Sequence, residues 1–171
     1  MNIETERLVI TELTMEMAAE IQRQSLDAAT RRFVPDEVFE TLEAAQETVR
    51  ALIEAYQSPD GPYVYMVGQR CPLQISTPSR AFGPPSVVGY VQLCRIDEGW
   101  EIGYHIGEAY RGQAYASESV RAFLPVMMAR LGIDRVWGIV DEENIASCRV
   151  LEKCGFALVG QGARRRYLYK T

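Results

Sequence analysis

The residues of this chain best suited to chemistry run from Tyr104-His105-Ile106 through Arg111-Gly112-Gln113-Ala114-Tyr115-Ala116 into an amphipathic helix. The pattern is a strand, a short turn, and a loop of small residues that opens the helix. The first turn of a helix carries backbone N–H groups without intrahelical partners, at the positive end of the helix dipole. With little side-chain bulk in the way, an anion can approach those groups closely, so the loop is a candidate diphosphate cradle. Arg111 stands where it can add a positive charge. Such a loop is weak evidence by itself, because many strand-to-helix turns are small and polar.

The elements that must position this loop follow from periodicity and punctuation. Arg7 to Leu13 reads as an opening strand with Leu8, Ile10 and Glu12 on one face. Thr14 reads as the N-cap of a helix carrying Met17, Ile21 and Leu26 inward, and Arg31 to Pro35 as a break. Thr41 caps a second helix with Leu42, Ala45, Val49, Leu52, Ile53 and Tyr56 at helical spacing. Ser58-Pro59-Asp60-Gly61-Pro62 ends it. Tyr63 to Val67 is a strand, and Cys71 to Ser86, with four of the eight prolines, an inserted loop. Val87 to Ile96 and Trp100 to Ile106 pair around the turn Asp97-Glu98-Gly99. Alternation puts Glu101, Gly103 and His105 on one face, with Ile102, Tyr104 and Ile106 on the other. Ser117 to Leu131 is a helix with Pro125 as its weak point. Arg135 to Val140 is a buried strand, and Asn144 to Cys154 a short helix closed by Gly155. Phe156 to Gly160 and Arg166 to Lys170 form a last antiparallel pair. This order predicts an α/β fold with a mixed sheet in a single domain, residues 1–171.

Composition narrows the function classes. At 171 residues, 47% hydrophobic and 24% charged, the chain has the make-up of one globular domain. A net charge of −5 argues against nucleic acid as partner, since phosphate binding wants a basic face. Arg164, Arg165 and Arg166 read as a solvated strand edge or loop. No apolar run reaches membrane-span length and no secretory signal opens the chain, so the reading is cytoplasmic, without a membrane partner. Cys71, Cys94, Cys148 and Cys154 lack metal-ligand spacing, and one histidine cannot complete a cluster, so no metal is expected and the thiols read as reduced.

Four motifs in order carry a resemblance. They are Glu101-Ile102-Gly103-Tyr104-His105-Ile106, Arg111-Gly112-Gln113-Ala114-Tyr115-Ala116, Asn144-Ile145-Ala146-Ser147 and Leu151-Glu152-Lys153-Cys154-Gly155-Phe156. Together they resemble the GNAT superfamily of acyl-CoA-dependent N-acyltransferases. The branch resembled most contains the ribosomal-protein N-terminal-alanine acetyltransferases, whose usual opening is matched by Glu4-Thr5-Glu6-Arg7-Leu8. The resemblance implies a mostly antiparallel central sheet with flanking helices. It also implies acetyl-CoA as co-substrate and direct attack in a ternary complex by a primary amine, either a peptide N-terminus or a small molecule. The alternative on the same fold is a non-catalytic acyl-CoA-binding sensor. A monomer or homodimer fits either.

The resemblance also implies roles for residues. The loop Arg111 to Ala116 takes the coenzyme diphosphate on its amides. The family usually has glycine where this chain has Ala114: if positive φ is needed, alanine costs about 1–2 kcal/mol; if only small size is needed, it serves nearly as well. The second is the reading taken. The pantetheine arm lies between the strand ending at Ile106 and the strand Arg135 to Val140, with a backbone N–H near Tyr104 to Ile106 facing the thioester carbonyl. Glu101 is the candidate base, and His105, on the same face, is a second base or a packing residue of the acyl site. Many members place a tyrosine on the helix after Val140; here Ser147 stands in that helix, to take its place or hold the sulfur. Asn144 is a strong N-cap and also a candidate hydrogen-bond partner of the pantetheine. The acceptor is selected by Arg31 to Val38 and the final hairpin; Arg31 and Arg32 read as plain surface arginines or as a pair suited to an acidic acceptor.

Overall fold

The computed structural model describes residues 1–70 and 86–171, so all of the inserted loop but Ser86 lies outside the described residues. The strands are β1 (Asn2–Glu4), β2 (Leu8–Glu12), β3 (Tyr63–Gln69), β4 (Val87–Ile96), β5 (Gly99–Ile106), β6 (Arg135–Asp141), β7 (Ala157–Gly160) and β8 (Arg164–Lys170). They form one sheet in the order β1-β2-β3-β4-β5-β6-β8-β7. All neighbours are antiparallel except β5 and β6, which run parallel and meet in register only at Glu101 and Trp137. β4 holds β5 from Gly99 to Ile106, and β8 holds β6 from Arg135 to Asp141. Each strand is therefore tied to its outer neighbour while the two part from one another, and the sheet opens as a V.

Among the described residues, five α-helices cover the two faces: α1 (Ala18–Ser25), α2 (Ala28–Phe33), α3 (Leu42–Ala55), α4 (Tyr115–Leu131) and α5 (Ile145–Lys153). Alternation along β3 divides the core. Tyr63, Tyr65 and Val67 pack with Leu93, Ile102, Val120, Phe123 and Met127 on the α4 and α5 side. Val64 and Met66 pack with Ala18, Ile21 and Val49 on the α1 and α3 side. Covered on both faces, β3 reads as a continuous buried run instead of an alternating one.

The expected caps divide into kept and lost. Thr41 Oγ1 accepts from Ala44 N at 3.2 Å, and Asn144 Oδ1 from Ser147 N at 3.1 Å. Thr14 makes no side-chain cap bond, and the chain enters α1 through a 3-10 turn, Met15–Met17. The break expected over Arg31 to Pro35 is in part helix. Asp27 Oδ1 accepts from Ala29 N (2.9 Å) and Thr30 N (3.2 Å), nucleating α2 through Phe33. α4 runs unbroken through Pro125, which lies on the exposed side of the helix.

Candidate active site

The loop leading into α4 has the backbone of an anion cradle. Gly112 (φ 77°) and Ala114 (φ 63°) are both left-handed, an alternation that turns successive N–H groups toward one concavity. Among the described residues, no protein acceptor takes the N–H groups of Gly112 to Ser117; the first amide of this stretch to be taken is Glu118 N, on Ala114 O at 3.0 Å. The structure overturns the reading that position 114 needs only a small side chain. Its left-handed φ costs alanine about 1–2 kcal/mol, and glycine would return about 0.5–1 kcal/mol of that as unfolded-chain entropy. Ala114→Gly is therefore expected to raise the melting temperature by about 2–4 °C, near 1 kcal/mol for a chain of this size. A lowered melting temperature in a thermal scan would show that the loop holds alanine without strain.

The N-terminal turn braces the loop from outside. Arg7 Nε donates to Glu118 Oε2 (2.7 Å), Arg7 Nη1 to Gln113 O (3.1 Å), and the guanidinium lies 4.7 Å from the Tyr115 ring centroid. Tyr115 is buried, and its hydroxyl accepts from Gln69 Nε2 at 3.2 Å. These two side chains therefore serve the loop's shape, and of the expected site residues only Gln113 does not line the cleft.

Arg111 lines the cleft and is also tied to protein partners. Its guanidinium makes a fork with Asp27 (Nη1–Oδ1 3.0 Å, Nη2–Oδ2 2.9 Å), and its Nε donates to Ile106 O at 2.9 Å. The positive charge is thus held by a side chain that is 8% exposed. Burial alone would raise the Asp27 pKa, but Arg111, the Thr30 hydroxyl and the Thr30 N–H outweigh it and hold the carboxyl well below the usual range. The same carboxylate faces His105 Nε2 at 3.6 Å. One residue therefore ties α2, the end of β5 and the cradle together.

His105 is 8% exposed and stacks on Tyr90, ring centroids 5.3 Å apart. Burial, then the charge of Arg111, pushes its pKa down against the pull of Asp27, which favours the neutral ring. Thr30 Oγ1 donates to Asp27 Oδ2 (2.6 Å) and so has no proton left for His105 Nε2, 3.0 Å away. The histidine must donate from Nε2, which leaves Nδ1 as a bare acceptor. Nδ1 has no partner among the described residues.

Glu101 sits at the apex of the V, half-buried. Burial raises its pKa, opposed by the Ile139 backbone N–H and by Arg164 and Arg166. On the opposite face of β5, the Tyr104 hydroxyl lies 2.8 Å from Ser147 Oγ and donates to Ser147 O at 3.0 Å, joining β5 to the first turn of α5. Burial pushes the Tyr104 pKa up, so it is a protonated phenol at neutral pH. Sequence reading found no tyrosine on the helix after β6; the structure brings one to that helix from β5. Gly107 N donates to Val88 O at 2.9 Å, and strand alternation then turns the amides of Tyr104 and Ile106 away from β4, toward the gap.

Glu101, His105, Ile106, Arg111, Gly112, Ala114, Tyr115, Ala116, Asn144 and Ser147 all line one cleft of about 930 Å³, joined by Thr30, Glu37, Gln92, Cys94 and Tyr104. A volume of that order accommodates a coenzyme-sized ligand. Cys94 is half-buried, and burial, then Glu37 and Glu101, pushes its thiol up to about 11, so it is not a ready nucleophile. No group of three or more His, Cys, Asp or Glu is placed to hold a metal, and no helix is long and apolar enough to cross a membrane, among the described residues.

Comparison with known proteins agrees with this geometry. Residues 7–157 match the family model described as the acetyltransferase (GNAT) domain. The chain is 26% identical over 169 residues to the uncharacterized N-acetyltransferase YoaA of Bacillus subtilis (strain 168), covering 99% of this chain and 89% of that protein. An acetyltransferase of the GNAT family from Bacillus anthracis superposes with a TM-score of 0.78 at 22% identity, over 99% of this chain and 98% of the other. RimL, a ribosomal L7/L12 alpha-N-protein acetyltransferase solved in complex with coenzyme A, gives 0.76 at 18% identity, over 99% and 98%.

Proposed function

Because the chain belongs to the acetyltransferase (GNAT) family, we propose that it moves an acetyl group from acetyl-CoA to a primary amine, by direct attack while both are bound. The observation that carries this reading is the V itself. It has a cradle of partnerless amides at its open end and a half-buried carboxylate at its apex.

Acetyl-CoA supplies an acyl group activated as a thioester. Amides from Gly112 to Ser117 are suited to its diphosphate, and the parted edges of β5 and β6, with Asn144, to its pantetheine arm. Asn144 Oδ1 is used as a cap, and its side-chain nitrogen donates to no protein acceptor among the described residues. The Tyr104 and Ile106 amides on the gap side are donors for negative charge that develops on the acyl oxygen. Glu101 takes a proton from the substrate ammonium, freeing the lone pair that bonds to the acyl carbon as the C–S bond breaks. The Tyr104 hydroxyl with Ser147 Oγ is the polar pair suited to the departing sulfur.

Two measurements test the reading. Acetyl-CoA at about a hundred times its Kd is expected to stabilise the fold by about 2.7 kcal/mol, since only the folded chain binds it. That raises the melting temperature by about 5–11 °C. Tyr104→Phe is expected to lower turnover by only about 3–10-fold, because a thiolate with a pKa near 8.5 leaves without much help. A loss of 10²-fold or more, the scale of a proton transfer lost from the transition state, would make the phenol an essential acid.

A non-catalytic acyl-CoA sensor, the second reading, is favoured only by Ala114 in a left-handed position. It predicts the melting shift without thiol release.

A further inference from the structure

The face of the cleft opposite Tyr104 is built from side chains that lack a cation. Along β4 and β5, Tyr90 pairs with His105, Gln92 with Gly103 and Cys94 with Glu101. Above them stands Glu37, from the short turn Pro35–Glu37 after α2. Its carboxylate accepts from the Tyr90 hydroxyl and from Gln92 Nε2, the latter at 3.1 Å. Gly103 makes this possible, because a Cβ there would lie 2.7 Å from Gln92 Nε2.

Several carboxylates elsewhere are held by arginines. Asp27, Glu118, Glu98, Glu40 and Glu143 each have one. The last two take Arg31 and Arg32. Among the described residues neither Glu37 nor Glu101 has a cation within 4.0 Å. The basic side chains of the cleft are Arg149 and Lys153 of α5, Arg164 of β8, and Arg111, which Asp27 already holds. On the Glu37 side the second observation is His105. It is more than nine-tenths buried, it lines the same cleft, and its Nδ1 lone pair has no donor. A half-buried carboxylate without a cation is met by positive charge and a buried acceptor without a donor by an N–H or O–H, and a single charged N–H group supplies both.

We propose that Glu37, with His105 beside it, binds a second cationic nitrogen of the acceptor, so the preferred acceptor is a primary amine carrying another ammonium or guanidinium group. The inference rests on the transferase reading above. Glu101 stands opposite Cys94, and Glu37 holds Gln92 and Tyr90, two and four residues along β4. At about 3.3 Å per residue, the two nitrogens are spaced by about 7–13 Å.

The test compares matched acceptors by thiol release from acetyl-CoA. 1,5-Diaminopentane is set against pentylamine, and the tripeptide amide Ala-Lys-Ala against Ala-Ala-Ala, so the arms distinguish a small-molecule source of the second charge from a peptide one. In at least one arm the second charge is expected to raise kcat/KM ten-fold or more, the scale of one charge-assisted contact. In Glu37→Gln that ratio is expected to fall to within about three-fold of one, chiefly through KM. An acetyl-CoA melting shift equal to wild type shows that the variant is folded. Equal rates within both pairs, or a ratio that survives in Glu37→Gln, would overturn the inference and leave the transferase reading standing. Thiol release with none of the four acceptors, despite the melting shift, would overturn both.

Discussion

Glu101→Gln is expected to lower turnover by about 10²-fold or more while leaving acetyl-CoA binding nearly unchanged. The carboxylate stands where β5 and β6 part, its pKa raised by burial, which makes it a stronger base than a solvated glutamate. Glutamine keeps the shape, but its amide is far too weak a base to take the proton. The loss should shrink as pH rises, because a larger share of the amine arrives neutral. Stability should move the other way. A carboxyl whose folded pKa lies above its unfolded one adds stability only at low pH, and that contribution is gone once the pH has passed the folded value. At neutral pH the glutamine variant should therefore melt at the same temperature as wild type or higher. A pH–rate profile parallel to wild type with turnover barely reduced would remove Glu101 as the base.

Asp27→Ala is expected to lower the melting temperature at neutral pH by about 5–15 °C. It removes the N-cap of α2, worth about 1 kcal/mol, and leaves Arg111 without its fork. Arg111 is 35% exposed, so water covers part of that loss and the total is about 2–4 kcal/mol, at 2–4 °C each. The pH dependence has a definite sign. The folded pKa of Asp27 is depressed from its ordinary 3.8, so its contribution is complete above that value and is lost as the pH falls toward the folded one. The gap between wild type and variant should be full at pH 7 and narrow below pH 4. A gap under 2 °C at pH 7 would show that the fork with Arg111 holds nothing together.

What the sequence disclosed was mostly local. The β4–β5 hairpin, the Asn144 cap, the left-handed Gly155 (φ 87°) and the small-residue loop are each specified by residues a few positions apart. The pairs that organise the cleft are not. Asp27 and Arg111 are 84 residues apart, Glu37 and Gln92 55, and Tyr104 and Ser147 43, and no spacing rule joins them. α2 was hidden for a different reason. Only Leu26 and Asp27 separate it from α1, so its cap was obscured by the end of the preceding helix. The left-handed φ of Ala114, the N-cap residue of α4, has no signature in the sequence, because alanine is the ordinary choice for a small helical residue.

The most direct measurement follows acetyl-CoA and the acceptor together, scoring free thiol and acetylated amine in one reaction with the acceptors above. The two are expected to appear one for one, neither is expected to form without amine, and both should fall together in Glu101→Gln. Acetyl-CoA that raises the melting temperature yet yields no thiol and no acetylated amine with any acceptor would contradict the transferase reading, and the cleft would then be a binding site and not a catalytic one.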